Sequence, residues 1–216
     1  MKSPYTFKHI PPTENLNEKK PAIFLLHGLG SNEDDLLQLV EEFKGQCHIF
    51  SLRGPITHRP GFAFYTFEEE GKPTREVFDK VINFTNSFIL EAIEEFELDI
   101  NQIYVIGFNQ GAVVAQTLLV TLGRTIKGVA ALSGFLPTFV KEEYNTSNLN
   151  KSNIFISHGE YDYDYPVQWS EISKQYFTDL GANVTYKVYP DGHGVSPDNL
   201  RDLIAFIAEN LAETKH

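Results

Sequence analysis

Short apolar segments alternate along the chain with longer segments in which apolar residues recur every three or four positions. Several of the short segments are continuously apolar, which is typical of parallel strands because helices cover both faces of their sheet. Strands are predicted at residues 5–10, 22–26, 47–52, 103–106, 128–132, 153–157 and 184–189.

The longer segments have the period of amphipathic helices. The first helix is capped by Ser31 or Asn32, a long second helix follows Pro73, and further helices fit residues 111–122, 166–180 and 197–211. The alternation of strands and helices predicts an α/β fold with a mostly parallel central sheet and helices on both faces. The predicted apolar faces consist of Leu36, Leu39, Val40 and Phe43 in the first helix, and of Val77, Val81, Phe84, Phe88, Ile89, Ile93 and Phe96 in the second.

Size and charge narrow the class of protein. The chain has 216 residues, which fits one domain over residues 1–216, with a strand and a loop in residues 1–20. A net charge of −11 without a basic stripe argues against nucleic acid as a partner. Neither a membrane span nor a signal-like apolar region is present, so we expect a cytoplasmic protein. The oligomeric state stays open and is compatible with a symmetric homodimer.

Polar, glycine-rich corners follow four of the predicted strands. These corners begin at His27, Gly107, His158 and Pro190. In open α/β sheets, functional sites form in the loops beyond the carboxyl ends of the strands. The candidate chemistry is therefore expected in these four corners.

The second corner has the outline of a nucleophile elbow with an altered central residue. Residues 107–111 read G-x-N-x-G between a strand and a helix, where the elbow pattern is G-x-S-x-G. The central residue of that turn is forced toward positive φ, which asparagine tolerates. Asn109 can hold the turn, but it lacks the hydroxyl that a neighbouring histidine activates in serine.

Two further residues follow the elbow in the order expected of a catalytic triad. Asp162 comes after a strand and suits a carboxylate that orients an imidazole, although Asp164 competes for that role. His193 lies on a glycine-flanked loop before the last helix and suits a general base. The backbone N–H groups of Leu29 and Gln110 could form an oxyanion hole.

These motifs together resemble the phospholipase/carboxylesterase family of small α/β hydrolases, which includes acyl-protein thioesterases. They comprise H-G-L-G from His27, the elbow, L-S-G-F-L-P from Leu132, H-G-x-x-D from His158, and Gly192-His193. The resemblance implies an α/β-hydrolase fold and hydrolysis of a small-molecule carboxylic ester or thioester. It also implies Asp162 and His193 as triad partners and Leu29 and Gln110 as oxyanion donors. Asn109 departs from the family, which carries serine there.

Three interpretations of Asn109 stay open. It is an engineered or cloning change of a working serine, or it marks a natural relative that binds a small ester, acid or aromatic compound without catalysis. In the third interpretation, a His-activated water converts the amide to a carboxylate. For an ordinary ester, we expect the chain as written to be inactive or strongly impaired.

The substrate pocket is predicted from apolar and polar residues near these corners. We find no metal-binding motif among the seven histidines and expect neither a metal nor a cofactor. Ser133 ends a strand but is not in an elbow, so we interpret it as structural. The predicted pocket residues are His27, Phe62, Phe64, Tyr65, Phe135, Leu136 and Tyr163.

Overall fold

A seven-stranded sheet forms the centre of the computed structural model, which describes residues 5–14, 17–69 and 71–213. The strands are β1 (Phe7–Ile10), β2 (Ala22–Leu26), β3 (His48–Leu52), β4 (Ile56–His58), β5 (Gly61–Ala63), β6 (Phe67–Glu69), β7 (Lys72–Pro73), β8 (Ile103–Phe108), β9 (Gly128–Leu132), β10 (Asn153–Gly159) and β11 (Asn183–Tyr189). The sheet order is β1-β3-β2-β8-β9-β10-β11, and only β1 pairs antiparallel in it. Two small hairpins, β4–β5 and β6–β7, lie outside this sheet.

Helices connect the strands of the sheet. They are α1 (Arg75–Glu95), α2 (Gln110–Leu122), α3 (Thr138–Glu143), α4 (Val167–Asp179) and α5 (Pro197–Glu213), with 3-10 segments at Asp35–Phe43 and Gly123–Thr125. Within the described residues, none of these helices is long and apolar enough to cross a membrane.

Two apolar cores, one on each face of the sheet, hold the fold together. Alternate residues of β2 point to opposite faces, so that Phe24 packs with α1 and α2 while Ile23 packs with α5 and the first 3-10 segment. The predicted α/β fold with a mostly parallel sheet and helices on both faces is therefore confirmed. Each predicted strand of the sheet is present, with bounds that differ by at most two residues at either end.

Three local predictions are corrected. The predicted cap at Ser31 or Asn32 is wrong, because Ser31 bridges to Phe62 and the segment that follows is a 3-10 helix beginning at Asp35. Phe84, predicted on the buried face of the second helix, is 47% exposed. The stretch around Phe62, where no strand is predicted, contributes β5, which pairs with β4. The predicted N-terminal loop includes residues 15 and 16, which lie outside the described residues.

Close contact between α2 and β2 fixes the position of the elbow. A Cβ atom added at Gly111 would lie 1.8 Å from the carbonyl oxygen of Leu26, and one added at Gly107 would lie 2.1 Å from the carbonyl oxygen of Gly111. Both obstacles are backbone atoms, which cannot rotate away. The turn between β8 and α2 is therefore pressed directly against the end of β2.

We expect Gly111→Ala to destabilise the fold by about 3 kcal/mol or more, because the new methyl group can be accommodated only by moving backbone. Gly194→Ala is the matched control, since nothing lies within 4 Å of a Cβ at that position. Urea unfolding of both variants measures the difference. Equal stability of the two variants would contradict the close contact between α2 and β2.

Candidate active site

Asn109 occupies the turn between β8 and α2 in a strained backbone conformation. Its φ is 53° and its ψ is −116°, an arrangement that costs free energy and that few non-glycine residues adopt. The backbone N–H of Asn109 donates to the carbonyl oxygen of Leu132 at 3.0 Å, which ties the turn to β9. The side chain is thereby directed toward a surface cavity, although the residue is only 7% exposed.

The side-chain oxygen of Asn109 lies between two backbone N–H groups. Gln110 N donates to Oδ1 at 2.7 Å, and Leu29 N donates to the same atom at 3.1 Å. Because both donors face one atom of the amide, that atom must be the oxygen. The donors predicted to form an oxyanion hole therefore converge on one point, and Asn109 itself fills that point.

The amide nitrogen of Asn109 begins a line of hydrogen bonds to His193 and Asp162. Asn109 Nδ2 lies 2.9 Å from His193 Nε2, and His193 Nδ1 lies 2.7 Å from Asp162 Oδ2. An amide nitrogen can only donate, so Nε2 accepts and the proton of the neutral imidazole is on Nδ1. The three residues are widely separated along the chain and meet at the carboxyl edge of the sheet.

Asp162 is held by its own loop and by a second histidine. Its Oδ1 accepts from the backbone N–H groups of Asp164 and Tyr165, each at 2.9 Å. His158 Nε2 donates to the Tyr165 carbonyl oxygen at 2.8 Å and lies 3.2 Å from Asp162 Oδ2. Burial lowers the pKa of His158, so this ring braces the carboxylate as a neutral donor.

Asp164 lies on the open side of the same imidazole. Its Oδ2 is 3.6 Å from His193 Nε2, and its side chain is 66% exposed. The buried carboxylate of Asp162 makes the shorter contact with His193, at the nitrogen that faces away from the cavity. Asp162 is thus the carboxylate placed to orient the ring, while Asp164 faces the cavity.

A cavity of about 580 Å³ opens above Asn109 and His193. Its walls combine aromatic rings with the carboxylates of Glu69 and Asp164, and the hairpin β6–β7 forms one side. The remaining residues that line it are Leu29, Phe67, Gly71, Phe108, Tyr163 and Tyr165. Such an apolar cleft with a few polar groups at its base is the usual form of a small-molecule site.

Of the residues predicted for the substrate pocket, only Tyr163 lines this cavity. Phe64 and Tyr65 are fully buried in the core, and the Phe62 ring packs under the Arg53 guanidinium at 4.5 Å. His27 is also buried, and its Nε2 accepts from Gly54 N at 2.9 Å. These four side chains support the loops around the site instead of facing a ligand.

Phe135 and Leu136 line a different, smaller cavity of about 220 Å³ that also borders Gly71 and Trp169. Gly71 borders both cavities, so the two lie side by side. Ser133 is fully buried at φ 50°, and its backbone N–H donates to the Ser157 carbonyl oxygen at 2.9 Å. This geometry supports the interpretation that Ser133 is structural.

The sequence did not reveal several contacts around Asn109 and His193. The Gln110 side chain accepts from Phe64 N and donates to the Tyr65 carbonyl oxygen, each at 2.9 Å, and so clamps this segment to the start of α2. Tyr165 packs edge-on against the His193 ring, with centroids 5.7 Å apart. The position of Tyr165 beside Asp162 in the sequence predicts that it narrows the entrance of the pocket, but not that it packs on His193.

A strand–turn–helix elbow, followed by an acid and a histidine that meet it in space, is the arrangement typical of the α/β-hydrolase fold. The sequence profile of the phospholipase/carboxylesterase family matches residues 13–211, and the chain belongs to this family. The described residues contain no group of histidine, cysteine and carboxylate side chains that could hold a metal ion.

Individual relatives agree with this assignment. Acyl-protein thioesterase 1 of Candida albicans is 33% identical over 225 residues, which cover 92% of this chain and 95% of that protein. Acyl-protein thioesterase 1 of Debaryomyces hansenii is 34% identical over 89% of this chain and 92% of that protein. Among solved structures, the Bacillus cereus carboxylesterase superposes with a TM-score of 0.85 at 26% identity, over 95% of this chain and 94% of that one.

The hydrogen bonds predict opposite tautomers for two histidines. We expect His193 to carry its proton on Nδ1, because Nε2 accepts from Asn109, and His158 to carry its proton on Nε2, because that atom faces the Tyr165 carbonyl oxygen. Two-bond proton–nitrogen correlation spectra of histidine-labelled protein at neutral pH distinguish the two forms. A proton on Nε2 of His193 would contradict the line of hydrogen bonds from residue 109.

Proposed function

We propose that this chain is built on the scaffold of a carboxylic ester or thioester hydrolase that uses a Ser-His-Asp mechanism, with residue 109 at the nucleophile position. The observation that carries the proposal is the continuous line of hydrogen bonds from residue 109 through His193 to Asp162. On the other side of residue 109, two N–H groups point at one oxygen. In acyl transfer, the histidine–aspartate pair acts on the nucleophile and the two N–H groups act on the oxyanion that its attack creates, so both arrangements must flank the same residue.

The geometry supports a role for each group when a hydroxyl stands at position 109. His193 Nε2 would take the hydroxyl proton during attack on the ester carbonyl and return it to the leaving group. Asp162 would hold the imidazolium through Nδ1. The N–H groups of Leu29 and Gln110 would stabilise the oxyanion, an effect worth roughly 3–4 kcal/mol of barrier per donor.

With asparagine at position 109, the chain lacks a group that His193 can convert into a nucleophile. Loss of the serine costs about a million-fold in turnover in a serine hydrolase of another fold. The Asn109 oxygen also occupies the two N–H donors that a substrate carbonyl would need. We therefore propose that hydrolysis of ordinary esters is strongly impaired in this chain.

The proposed substrate is a small-molecule ester or thioester whose acyl or alcohol part enters the aromatic cavity of about 580 Å³. Relatives named as carboxylesterases and acyl-protein thioesterases support this substrate class. A cytoplasmic location and assembly as a homodimer stay predictions from the sequence.

Asn109→Ser is expected to raise the hydrolysis of p-nitrophenyl acetate by about a thousand-fold or more, because it supplies the missing nucleophile to His193. Release of p-nitrophenolate measures the rate. Asn109→Ala, which frees the two N–H groups without adding a nucleophile, is the matched control, and adding His193→Ala to the serine variant should abolish the gain. A folded serine variant that stays inert would contradict the proposed function.

A second candidate function is binding without catalysis, in which the cavity recognises a small ester, acid or aromatic compound. The observation that favours it is the satisfied Asn109 amide, whose oxygen has two donors and whose nitrogen contacts His193. This side chain closes the base of the cavity but leaves the aromatic walls accessible to a ligand.

If binding is the function, the unaltered chain should bind one such compound tightly and release it unchanged. Calorimetric titration with short-chain esters, their free acids and benzoate-type compounds measures the affinity, and chromatography of the recovered ligand measures turnover. Tyr165→Ala should weaken binding because this ring forms part of the cavity wall. If compounds of all three classes fail to bind, the result counts against a function in binding without catalysis.

A further inference from the structure

The contacts of the Asn109 amide are those of a substrate amide in a hydrolase site. Its carbonyl oxygen lies between the N–H groups of Leu29 and Gln110, and its nitrogen lies 2.9 Å from His193 Nε2. We propose that Asn109 is itself a modification site, at which the surrounding groups hydrolyse the side-chain amide to a carboxylate and release ammonia. This inference rests on the proposed function in one respect: both assign chemical roles to the groups around residue 109.

The two N–H donors favour addition of water to the amide carbon. When water adds to Cγ, negative charge develops on Oδ1, and the two N–H groups already face that atom at 2.7 and 3.1 Å. Asn109 directly precedes the first residue of α2, so the positive end of the helix dipole favours the same charge. The donors are fixed by the backbone and need no reorganisation.

In this proposal Asp164 is the base that takes a proton from water in the cavity. Asp164, Asn109 and His193 all line the cavity, which is large enough to hold water. The Asp164 carboxylate lies 3.6 Å from His193 Nε2, the atom that faces the departing nitrogen. Asp162 cannot take this role, because its carboxylate is buried and bonded to the far side of the imidazole.

The reaction consumes one water and needs no other reactant. Water loses a proton to Asp164 as its oxygen bonds to Cγ, and the electron pair of the carbonyl moves onto Oδ1. When the carbonyl reforms, the bond between Cγ and Nδ2 breaks, and the proton held by Asp164 passes to Nδ2, so that ammonia leaves. The new carboxylic acid then ionises and its proton converts ammonia to ammonium.

Ordinary asparagine deamidation follows a different route, which this geometry disfavours. In that route, the next backbone nitrogen attacks Cγ and the resulting cyclic imide opens to a mixture of aspartate and isoaspartate. Gln110 N is instead directed at Oδ1 and begins α2. Direct hydrolysis at position 109 therefore gives aspartate alone, with one oxygen atom derived from solvent.

The experiment follows the peptide that contains residue 109 by mass spectrometry during incubation of the folded protein at neutral pH. We expect a gain of about 1 Da in ordinary water and about 3 Da in water labelled with oxygen-18. Asn109→Asp provides the chromatographic standard for the product. Asn145, which is exposed outside the helices and precedes a threonine, reports the background rate of ordinary deamidation.

Two alanine variants separate the proposed chemistry from slow background conversion. Asp164→Ala should slow conversion roughly 100-fold, because it removes the base. Asp198→Ala is the matched control, since this carboxylate is similarly exposed, 68% against 66%, but pairs with Arg201 in α5. We expect its conversion rate to equal that of the unaltered chain, and circular dichroism verifies that both variants are folded.

Three results would overturn the inference. These are an amide that stays intact after prolonged incubation, a mixture of aspartate and isoaspartate at position 109, and equal rates in the Asp164→Ala and Asp198→Ala variants. The ester assay on Asn109→Ser is independent of all three. An active serine variant with a stable amide in the unaltered chain would reject the modification and leave the proposed function in place.

Discussion

The contact between the start of α2 and the end of β2 is the constraint on which the site depends. Because Gly111 touches the Leu26 backbone, the chain must reverse within one residue, and that residue takes the strained φ of 53°. The same contact brings Leu29 N beside Gln110 N, so that both reach one side-chain atom of residue 109. Backbone packing therefore fixes the turn and both donors, whichever residue stands at position 109.

The groups on the other side of residue 109 come from separate loops after β10 and β11. His193 is bonded to Asp162, and Asp162 is in turn held by two N–H groups of its own loop. His158 Nε2 also contacts that carboxylate, at 3.2 Å from Asp162 Oδ2. This support does not depend on the side chain at position 109, which explains why the imidazole stays directed at that position although an asparagine occupies it.

Much of the fold, and the hydrogen-bonded group of Asn109, His193 and Asp162, could be predicted because local sequence patterns indicate both. Continuously apolar strands such as β2 indicate a doubly covered sheet, and the glycine spacing around Asn109 indicates the elbow. Most of the cavity wall beyond Tyr163 could not be assigned residue by residue, because a side chain such as Glu69 reaches the site through a small hairpin with no strong strand pattern. The aromatic composition of residues 62–67 likewise does not indicate that the side chains of Phe64 and Tyr65 face the core.

The most direct test of the central claim is the crystal structure of the Asn109→Ser variant after reaction with the p-nitrophenyl ester of a short alkyl phosphonate. We predict one phosphorus bonded to the introduced hydroxyl, with its free oxygen accepting from Leu29 N and Gln110 N where the amide oxygen now lies, and His193 beside the adduct. An adduct on another residue, or a phosphonyl oxygen directed away from both N–H groups, would contradict the account.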